Sequence, residues 1–332
     1  MNMGRASIRQ VAEHAGVSPM TVSRMVRGQH ESVSPDKRQR VLSSMQELDY
    51  VPVRPALQNR RSKTNVIGLV VDVNFTYKGL VAPHTFDGIR EAAFAANYDV
   101  LMLHSSPHSP LGQQKMQFLD RRCDGFIFVS PKERREVLEN LVQHDFPTVS
   151  CYSTDVPEGI AWVTPDNTGT IQRSVQALIE AGHQRIAHIA GPHHHSTAVE
   201  RRKAYLNTML DAGLKPLGFE MNVPDDGEQA ANFLLDHQAT GIVCYNDHWA
   251  LNLWQRLEER GLHIPQDISI IGVDNTPDAE KRGLSTFINP YEEIGRTAVQ
   301  SLFTLLDGGD LDECCRTIKL EMVARHSVGP PR

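Results

Sequence analysis

The segment VSPMTVSRMV, residues 17–26, places side chains that can contact nucleic acid within little more than two helical turns. A Met is apolar and flexible enough to touch a thymine methyl group, and an Arg can form two hydrogen bonds with guanine O6 and N7. Hydroxyl groups can bond phosphates, which fixes register without reading bases. The pattern predicts a helix that contacts DNA. Together with the cap of the preceding helix, the predicted DNA-binding residues are Ser7, Ser18, Pro19, Met20, Thr21, Ser23, Arg24 and Arg27.

Two caps and a turn are expected to position this helix. Ser7 and Gln10 have the spacing of a capping box, which predicts the start of a first helix. Gly16 is the residue type that a sharp turn between helices needs where φ is positive. Ser18 then caps the second helix, and Pro19 occupies its first position, where a missing N–H costs nothing.

A third helix is predicted from Pro35, with Ser34 as its cap, to Tyr50. Helix, turn, helix and a supporting third helix form the layout of a helix-turn-helix domain. A small helical bundle with a solvated polar face is the alternative. The charge distribution favours the first interpretation, because residues 1–63 carry 11 Lys and Arg against 5 Asp and Glu, while the whole chain has a net charge of −6.

The composition is that of a globular protein with more than one domain: 332 residues, 40% hydrophobic and 22% charged. No apolar run approaches the ~20 residues that span a bilayer, and no signal peptide is recognisable, so a cytoplasmic protein without a membrane partner is expected. The five cysteines lack CxxC spacing and are expected to be reduced thiols.

The sequence IRQVAEHAGVSPMTVSRMVRG, followed by VSPDKRQRVLSSMQELDYVP, resembles the start of the LacI family of bacterial transcription regulators. The resemblance continues through most of the chain. It implies a helix-turn-helix DNA-binding domain over residues 1–50, a hinge over 51–64 and an effector-binding core over 65–332.

The hinge of this family is a helix that orders on operator DNA and inserts a Leu into the minor groove, where an apolar wedge bends the duplex. In this sequence Asn59 stands at that position, and Leu57 precedes it by two residues. Both are predicted DNA-binding residues, and three possibilities stay open: Leu57 inserts, Asn59 hydrogen-bonds in the groove, or the linker does not intercalate.

Beyond residue 65, short apolar runs such as VIGLVVDV and ISIIGVD alternate with helical stretches such as TIQRSVQALIEAG. Alternating buried strands and helices predict an α/β fold of doubly wound parallel sheets. The length favours two subdomains. The resemblance implies a periplasmic-binding-protein-like core, with one lobe over residues 65–164 and 291–319 and the other over 165–290 and 320–330.

Ligands of such folds bind beyond the carboxyl ends of the strands. The resemblance places a small effector in the cleft between the lobes, and carboxylates, amides and an Arg suit a polyhydroxylated ligand. Two alternatives are structural: Asp166 and Asp247 cap the helices that follow them, and Arg201 forms an inter-lobe salt bridge with Asp274. The predicted effector-binding residues are Phe75, Tyr77, Ser130, Asp166, Arg201, Asn246 and Asp274.

Two stretches differ from the family pattern, NFTYKGLVAPHTF after the first strand and VPDDGEQA near residues 219–228. Both are expected to line the cleft, so the stacking platform of a sugar site is altered. Phe75, Tyr77 or Trp249 is available for stacking. A sugar or sugar derivative is the expected effector, and a nucleobase or an organic acid is the next alternative.

Rival classes find little support in the sequence. It contains no P-loop, GxSxG or HExxH motif, and the adjacent histidines 193–195 cannot all face one ion. We therefore expect no enzyme activity, no cofactor and no metal. The expected function is that of a homodimeric regulator that binds double-stranded operator DNA under control of a sugar-like effector. We expect a repressor rather than an activator. The alternatives are a carbohydrate-active enzyme and a non-regulatory sugar-binding protein.

Overall fold

The computed structural model describes residues 7–26, 29–48, 50, 63–72, 81–105, 118–119, 122–130, 135–193, 195–221 and 226–332. The chain separates into two compact units, Met1–Arg60 and Arg61–Arg332. Five of the predicted site residues lie outside the described residues: Arg27, Leu57, Asn59, Phe75 and Tyr77.

The described residues of the first unit form α1 (Ile8–His14), α2 (Pro19–Val26) and α3 (Pro35–Glu47), with a 3₁₀ turn between the last two. The Gln10 backbone N–H donates to Ser7 Oγ at 3.3 Å, and the Gln10 side chain accepts from the Ser7 N–H, which confirms the predicted capping box. Gly16 has φ +61°, as the turn requires.

The third helix is shorter than predicted. It ends at Glu47 rather than Tyr50, and the Tyr50 N–H instead donates to the carbonyl of Met45 at 2.8 Å. The donor follows the acceptor by five residues, one more than in an α-helix, so the chain leaves the helix here.

A small apolar core joins the three helices. Val11, Val22 and Val41 contribute one fully buried side chain from each helix. His14 adds a polar link, because its Nδ1 lies 3.1 Å from Ser44 Oγ and its Nε2 lies 3.6 Å from a Glu47 carboxylate oxygen. These contacts fix α2 against its supports and leave its other face to solvent.

The second unit alternates strands and helices. In chain order its elements are β1 (Val66–Asp72), α4 (Val81–Ala95), β2 (Asp99–Ser105), β3 (Gly125–Val129), α5 (Arg135–Gln143), β4 (Thr148–Cys151), β5 (Ala161–Pro165), α6 (Asn167–Glu180), β6 (Ile186–Ala190), α7 (Ser196–Asp211), β7 (Leu217–Glu220), α8 (Gly227–Asp236), β8 (Gly241–Cys244), α9 (Asp247–Glu258), β9 (Ser269–Ile271), α10 (Pro277–Arg282), β10 (Thr286–Ile288), α11 (Tyr291–Leu306), α12 (Leu311–Cys314), β11 (Arg316–Ile318) and β12 (Glu321–Val323).

Two parallel sheets organise these elements. The strand order of the larger is β11-β5-β4-β3-β1-β2, and that of the smaller is β7-β6-β8-β9. Strands such as β3, β4 and β6 are buried along their whole length, as parallel strands covered by helices on both faces must be. The predicted fold, an all-α head followed by an α/β core of parallel sheets, is confirmed.

Three chain segments cross between the two lobes that these sheets form. They run from β5 into α6, from β10 into α11 and from β11 into β12. The short strands β10 and β12 pair antiparallel, which the prediction of purely parallel sheets did not include.

Helices α4 and α11 cross at a place where both backbones must come very close. A Cβ atom at Gly88 would lie 2.0 Å from the Glu292 carbonyl oxygen, and one at Gly295 would lie 2.3 Å from the Thr85 carbonyl oxygen. Only glycine allows this approach. The crossing brings the start of α4 and the start of α11 to the same end of the larger sheet.

Candidate functional site

The predicted DNA-contacting face of α2 is open to solvent. The Met20 side chain is 61% exposed, and Pro19 and Arg24 are also exposed. Ser18 caps the helix as predicted, since its Oγ accepts from the Thr21 backbone N–H at 3.3 Å. The same oxygen lies 3.0 Å from Thr21 Oγ1, so these two hydroxyls orient each other beside the exposed Met.

A second group of polar residues collects at the carboxyl ends of the core strands. Four of them have left-handed backbone conformations: Ser130 after β3, Tyr152 after β4, and Asp274 with Asn275 after β9, whose φ values are 53°, 67°, 121° and 55°. Such conformations cost on the order of 1–3 kcal/mol for a residue with a side chain and cluster at functional sites. The ends of the strands therefore form the candidate site of the core.

Asp274 is the central acid of this site. Burial raises the pKa of its carboxyl group, while the positive charge of Arg201, the nearby Tyr291 hydroxyl and a hydrogen bond from Asn289 act in the opposite direction. The Asn289 amide nitrogen donates to Asp274 Oδ1 at 3.2 Å. Among the described residues no ion pair joins Arg201 to Asp274, so the alternative of a plain inter-lobe salt bridge between them is wrong.

Two buried polar atoms beside Asp274 have no hydrogen-bond partner within the described part of the chain. They are the amide oxygen of Asn289 and the hydroxyl of Tyr291. Their side chains belong to residues that are only 9% and 6% exposed. The Tyr291 hydroxyl lies close enough to the Asp274 carboxyl to influence its pKa, without reaching hydrogen-bond geometry. An unsatisfied buried polar group costs about 1–3 kcal/mol, so a ligand that bonds both atoms gains accordingly.

Arg201 is buried and largely held by protein groups. Its Nε donates to Asn167 Oδ1 at 2.9 Å, its Nη1 donates to the Tyr245 carbonyl, and the guanidinium lies 5.2 Å from the centre of the Tyr245 ring. Asn167 in turn donates to Glu200 Oε2 at 2.7 Å. The guanidinium is thus a fixed wall of the site rather than a mobile cation.

Tyr152 links the two lobes directly. Its hydroxyl lies 2.5 Å from Thr85 Oγ1 on α4, while its carbonyl accepts from the hydroxyls of Ser196 and Thr197 at the start of α7. Its ring lies 6.4 Å from that of Tyr291. Both aromatic side chains are buried at this junction.

Three predicted positions have capping or structural contacts. Asp166 caps α6 by accepting from the Gly169 N–H at 2.8 Å, as the structural alternative held. The cap of α9 is Asn246, whose Oδ1 accepts from the Trp249 N–H at 3.0 Å. The capping role considered for Asp247 is therefore wrong, because the residue before it occupies that place.

Asp247 has another structural role. Its carboxylate accepts from the Thr276 N–H at 2.8 Å and the Thr286 hydroxyl at 2.6 Å, so it anchors the loop that carries Asp274. Arg325 holds the same loop from its other side, donating to Asn275 Oδ1 at 2.7 Å and to the Leu284 carbonyl at 2.8 Å.

Contacts at the carboxyl ends of the strands connect the described effector candidates. The charge of Arg201 acts on Asp274, Asn246 and Asp166 each adjoin a residue bonded to Arg201, and the Ser130 N–H donates to the residue before Tyr152. Tyr152, which directly follows β4, was not among the predicted site residues. Sequence reasoning also missed Asn289 and Tyr291, because the strand before them is only three residues long.

Trp249, considered for stacking, is buried in the core of the smaller sheet, with its ring edge-on to Tyr245. His193 pairs with Glu220 at 2.7 Å. Within the described residues no group of three His, Cys, Asp or Glu side chains could hold a metal ion.

Comparison with known proteins agrees with this arrangement of head and core. The profile described as bacterial regulatory proteins, lacI family, matches residues 7–53, and that of a periplasmic binding protein-like domain matches residues 175–328. The first match covers the helix-turn-helix and the second covers most of the smaller lobe. The chain carries a lacI-family DNA-binding domain followed by a periplasmic binding protein-like domain.

LacI-family relatives match almost end to end. Catabolite control protein A of Priestia megaterium is 29% identical over 321 residues, covering 92% of this chain and 94% of the relative. The transcriptional regulator AscG of Escherichia coli strain K12 is 28% identical, with 97% and 98% covered, and the transcriptional repressor PurR of Vibrio atlanticus strain LGP32 is 27% identical, also with 97% and 98% covered.

Solved structures share the fold over the same length. A CelR–cellobiose complex matches with a TM-score of 0.69 and 26% identity, covering 97% of this chain and all of that one. A lac repressor dimer bound to operator and an anti-inducer matches with a TM-score of 0.81 and 24% identity, covering 98% and 100%. The chain is accordingly a DNA-binding transcriptional regulator, in a family of regulators rather than enzymes. No helix in the described ranges is both long and apolar enough to cross a membrane.

Proposed function

We propose that this LacI-family regulator is a cytoplasmic, homodimeric repressor whose affinity for operator DNA is controlled by a neutral sugar or sugar derivative bound at Asp274. The proposed organisation is a DNA-binding domain over residues 1–50, a hinge over 51–64 and a two-lobed effector core over 65–332. The relatives named as repressors support this direction of control.

The observation that carries the proposal is the pair of unsatisfied polar atoms beside Asp274. Asn289 Oδ1 is an acceptor and the Tyr291 hydroxyl can donate or accept, while the carboxylate of Asp274 accepts. A ligand that satisfies this set presents several hydrogen-bond donors close together. Neighbouring hydroxyl groups of a sugar do so.

The charges of the cleft favour a neutral ligand over an anionic one. Asp274 repels an anion, and the Arg201 guanidinium is already engaged by Asn167 and the Tyr245 carbonyl. Phosphorylated sugars and organic acids should therefore bind this site more weakly than neutral sugars do. The similar regulator solved with cellobiose supports the same class of ligand.

The proposed DNA-binding residues on the head are those of the α2 face with the hinge residues Leu57 and Asn59. One head makes few base contacts, so two heads related by a two-fold axis are needed for specificity. Half-sites one helical turn apart, about 34–36 Å, suit such a pair. The operator-bound lac repressor dimer supports this assembly.

In the proposed switch, the effector changes the angle between the lobes and so the fit of both heads on DNA. It can do this only if it binds the two arrangements with different affinities. Tyr152 contacts groups of both lobes and is expected to sense that angle.

The test begins with a thermal-shift screen of neutral mono- and disaccharides, including cellobiose, beside nucleobases and organic acids. A neutral sugar should raise the melting midpoint of the wild-type protein and lower its affinity for operator, measured by fluorescence anisotropy. Two variants test the site: Asp274→Asn, an isosteric change, and Tyr291→Phe, which removes only the hydroxyl. Each should lower the affinity for that sugar at least tenfold.

Two results would overturn the proposal. A sugar that binds Asp274→Asn as tightly as wild type occupies another site. A sugar that saturates the wild-type protein and leaves operator affinity unchanged is no effector.

A further inference from the structure

The side chain of Arg173 on α6 contacts residues within or beside each of the three inter-lobe crossovers. The crossovers are the segments 165–167, 288–291 and 318–321, which connect elements of the two lobes. Any rotation of one lobe against the other changes the backbone in all three. How these segments are joined therefore decides whether they move separately or together.

Arg173 contacts the neighbourhood of each crossover with a different part of its guanidinium group. Nε donates to the Gly169 carbonyl at 3.0 Å, just after the first crossover, and Nη1 donates to the Leu320 carbonyl at 2.7 Å, within the segment between β11 and β12. The planar group also lies 5.0 Å from the centre of the Phe287 ring, in the strand that enters the remaining crossover. A guanidinium can make such contacts at once because its donors form a rigid fork with a stacking face.

The first and last crossovers are also bonded to each other. The Asp166 backbone N–H donates to the Ile318 carbonyl at 2.8 Å, and the Asp166 carboxylate accepts from the Gly169 N–H at 2.8 Å. Arg173 closes this arrangement from the other side. The result is a small polar cluster built across the hinge, with the fully buried Phe287 ring beneath it.

One donor of the cluster is unsatisfied in this arrangement. Arg173 Nη2 is buried without a hydrogen-bond partner among the described residues and lies 3.9 Å from Asp166 Oδ2, within ion-pair range and beyond hydrogen-bond length. A shift of about 1 Å at the first crossover would convert this contact into a charge-assisted bond. The cluster therefore has a second arrangement within reach.

We propose that Arg173 is a positioning residue that couples the three crossovers into one hinge, so that a change of lobe angle at one is transmitted to the other two. Its role in effector response rests on the proposed function, whereas the coupling itself is a property of the protein alone. Arg173 is not proposed to contact the effector.

The test is hydrogen–deuterium exchange with mass spectrometry on the full chain, without effector or DNA. The variants are Arg173→Met, which keeps the apolar stem, and Arg173→Lys, whose single nitrogen cannot replace both Nε and Nη1. The matched control is Arg185→Met, since Arg185 Nε also donates to one backbone carbonyl, that of Gln238, at 2.6 Å but away from the crossovers.

Coupling predicts that Arg173→Met speeds exchange about tenfold in peptides covering all three crossovers, including the amides of Asp166 and Tyr291, while β6 keeps its protection. Arg173→Lys should loosen the first and last crossovers and spare the one beside Phe287, where a cation remains. Arg185→Met should leave all three unchanged.

Faster hydrogen–deuterium exchange confined to residues 165–173, or unchanged exchange in both Arg173 variants, would overturn the proposal, because Arg173 would then stabilise only its own helix. If Arg173→Met also exposes β6, the Lys variant decides: faster exchange at the first and last crossovers with β6 protected supports coupling, and any other pattern contradicts it. If no sugar binds in the thermal-shift screen but the exchange experiment shows that the three crossovers are coupled, the proposed effector is rejected and this inference stands.

Discussion

Individual side chains of this protein are of two kinds: some are exposed to bind a partner, and others make protein contacts that position a binding site. Arg24 and Met20 project into solvent from α2, whereas Asp247 and Arg325 are committed to protein contacts around the loop of Asp274. Substitutions at the two kinds of residue should therefore fail in different assays. The first kind changes recognition at constant stability, and the second changes stability or the shape of the cleft.

Replacing Arg24 with Ala should weaken operator binding by about 1–3 kcal/mol and relax the preference at one base pair. The reason is the loss of two hydrogen bonds to a guanine edge. Arg24→Lys, which keeps the charge, should retain binding to unrelated DNA and still lose the preference. Equal weakening of Arg24→Ala on all sequences would make Arg24 a phosphate contact instead.

Asp247 predicts a pH dependence of stability. Burial raises the pKa of its carboxyl group to about 6, against an ordinary value of 3.8. Because the folded state holds the proton more tightly than the unfolded state, stability falls as pH rises from about 4 to 6 and is flat above that. The destabilisation at neutral pH amounts to about 2–3 kcal/mol, from 1.36 kcal/mol for each pKa unit.

Asp247→Asn removes this ionisation. Its stability relative to wild type should be about 2–3 kcal/mol more favourable at pH 7.5 than at pH 4, measured by denaturant unfolding at both values. Asp278→Asn serves as the control, since Asp278 is an exposed acid in the neighbouring helix α10. A difference between Asp247→Asn and wild type that is the same at both pH values would contradict the buried-acid account.

Whole elements are placed by features that act over several residues. The capping box of Ser7 and the Gly16 turn set α1 and α2 in the predicted positions, because both signals are local in sequence. The strands β10, β11 and β12 were not predicted, since three residues are too few to show a period. They form because the crossovers bring them beside other strands.

The crossing of α4 and α11 yields a prediction at this scale. Gly88→Ala should destabilise the core by about 3 kcal/mol or more, because its Cβ would lie 2.0 Å from a backbone oxygen of Glu292, and a helix backbone cannot yield as a side chain does. Gly218→Ala is the matched control, with no atom within 4 Å of the added carbon. It should change the unfolding free energy by less than about 1 kcal/mol in denaturant unfolding. Equal effects of the two substitutions would refute the close-packing account.

For the molecule as a whole, the sequence predicted the kinds of element and their sequence of appearance. Apolar runs and caps indicate a helical head and an α/β core because burial and hydrogen bonding act within each segment. Asp274 and Arg201 were predicted for the cleft, and the structure brings them together with Tyr152 and Tyr291. Those two tyrosines were missed because their role arises from the packing of α4, α7 and α11, which are distant in sequence.

The central claim is that paired heads read a specific DNA sequence, and it is tested most directly by selecting bound sites from a random duplex pool with the full-length protein. We expect an enriched palindrome of about 14–20 base pairs, whose half-sites are one helical turn apart. Its sequence should change at one position in each half-site when the selection is repeated with Arg24→Ala. Absence of enrichment at low salt, where even phosphate contacts alone give strong binding, would contradict sequence-specific reading by this protein.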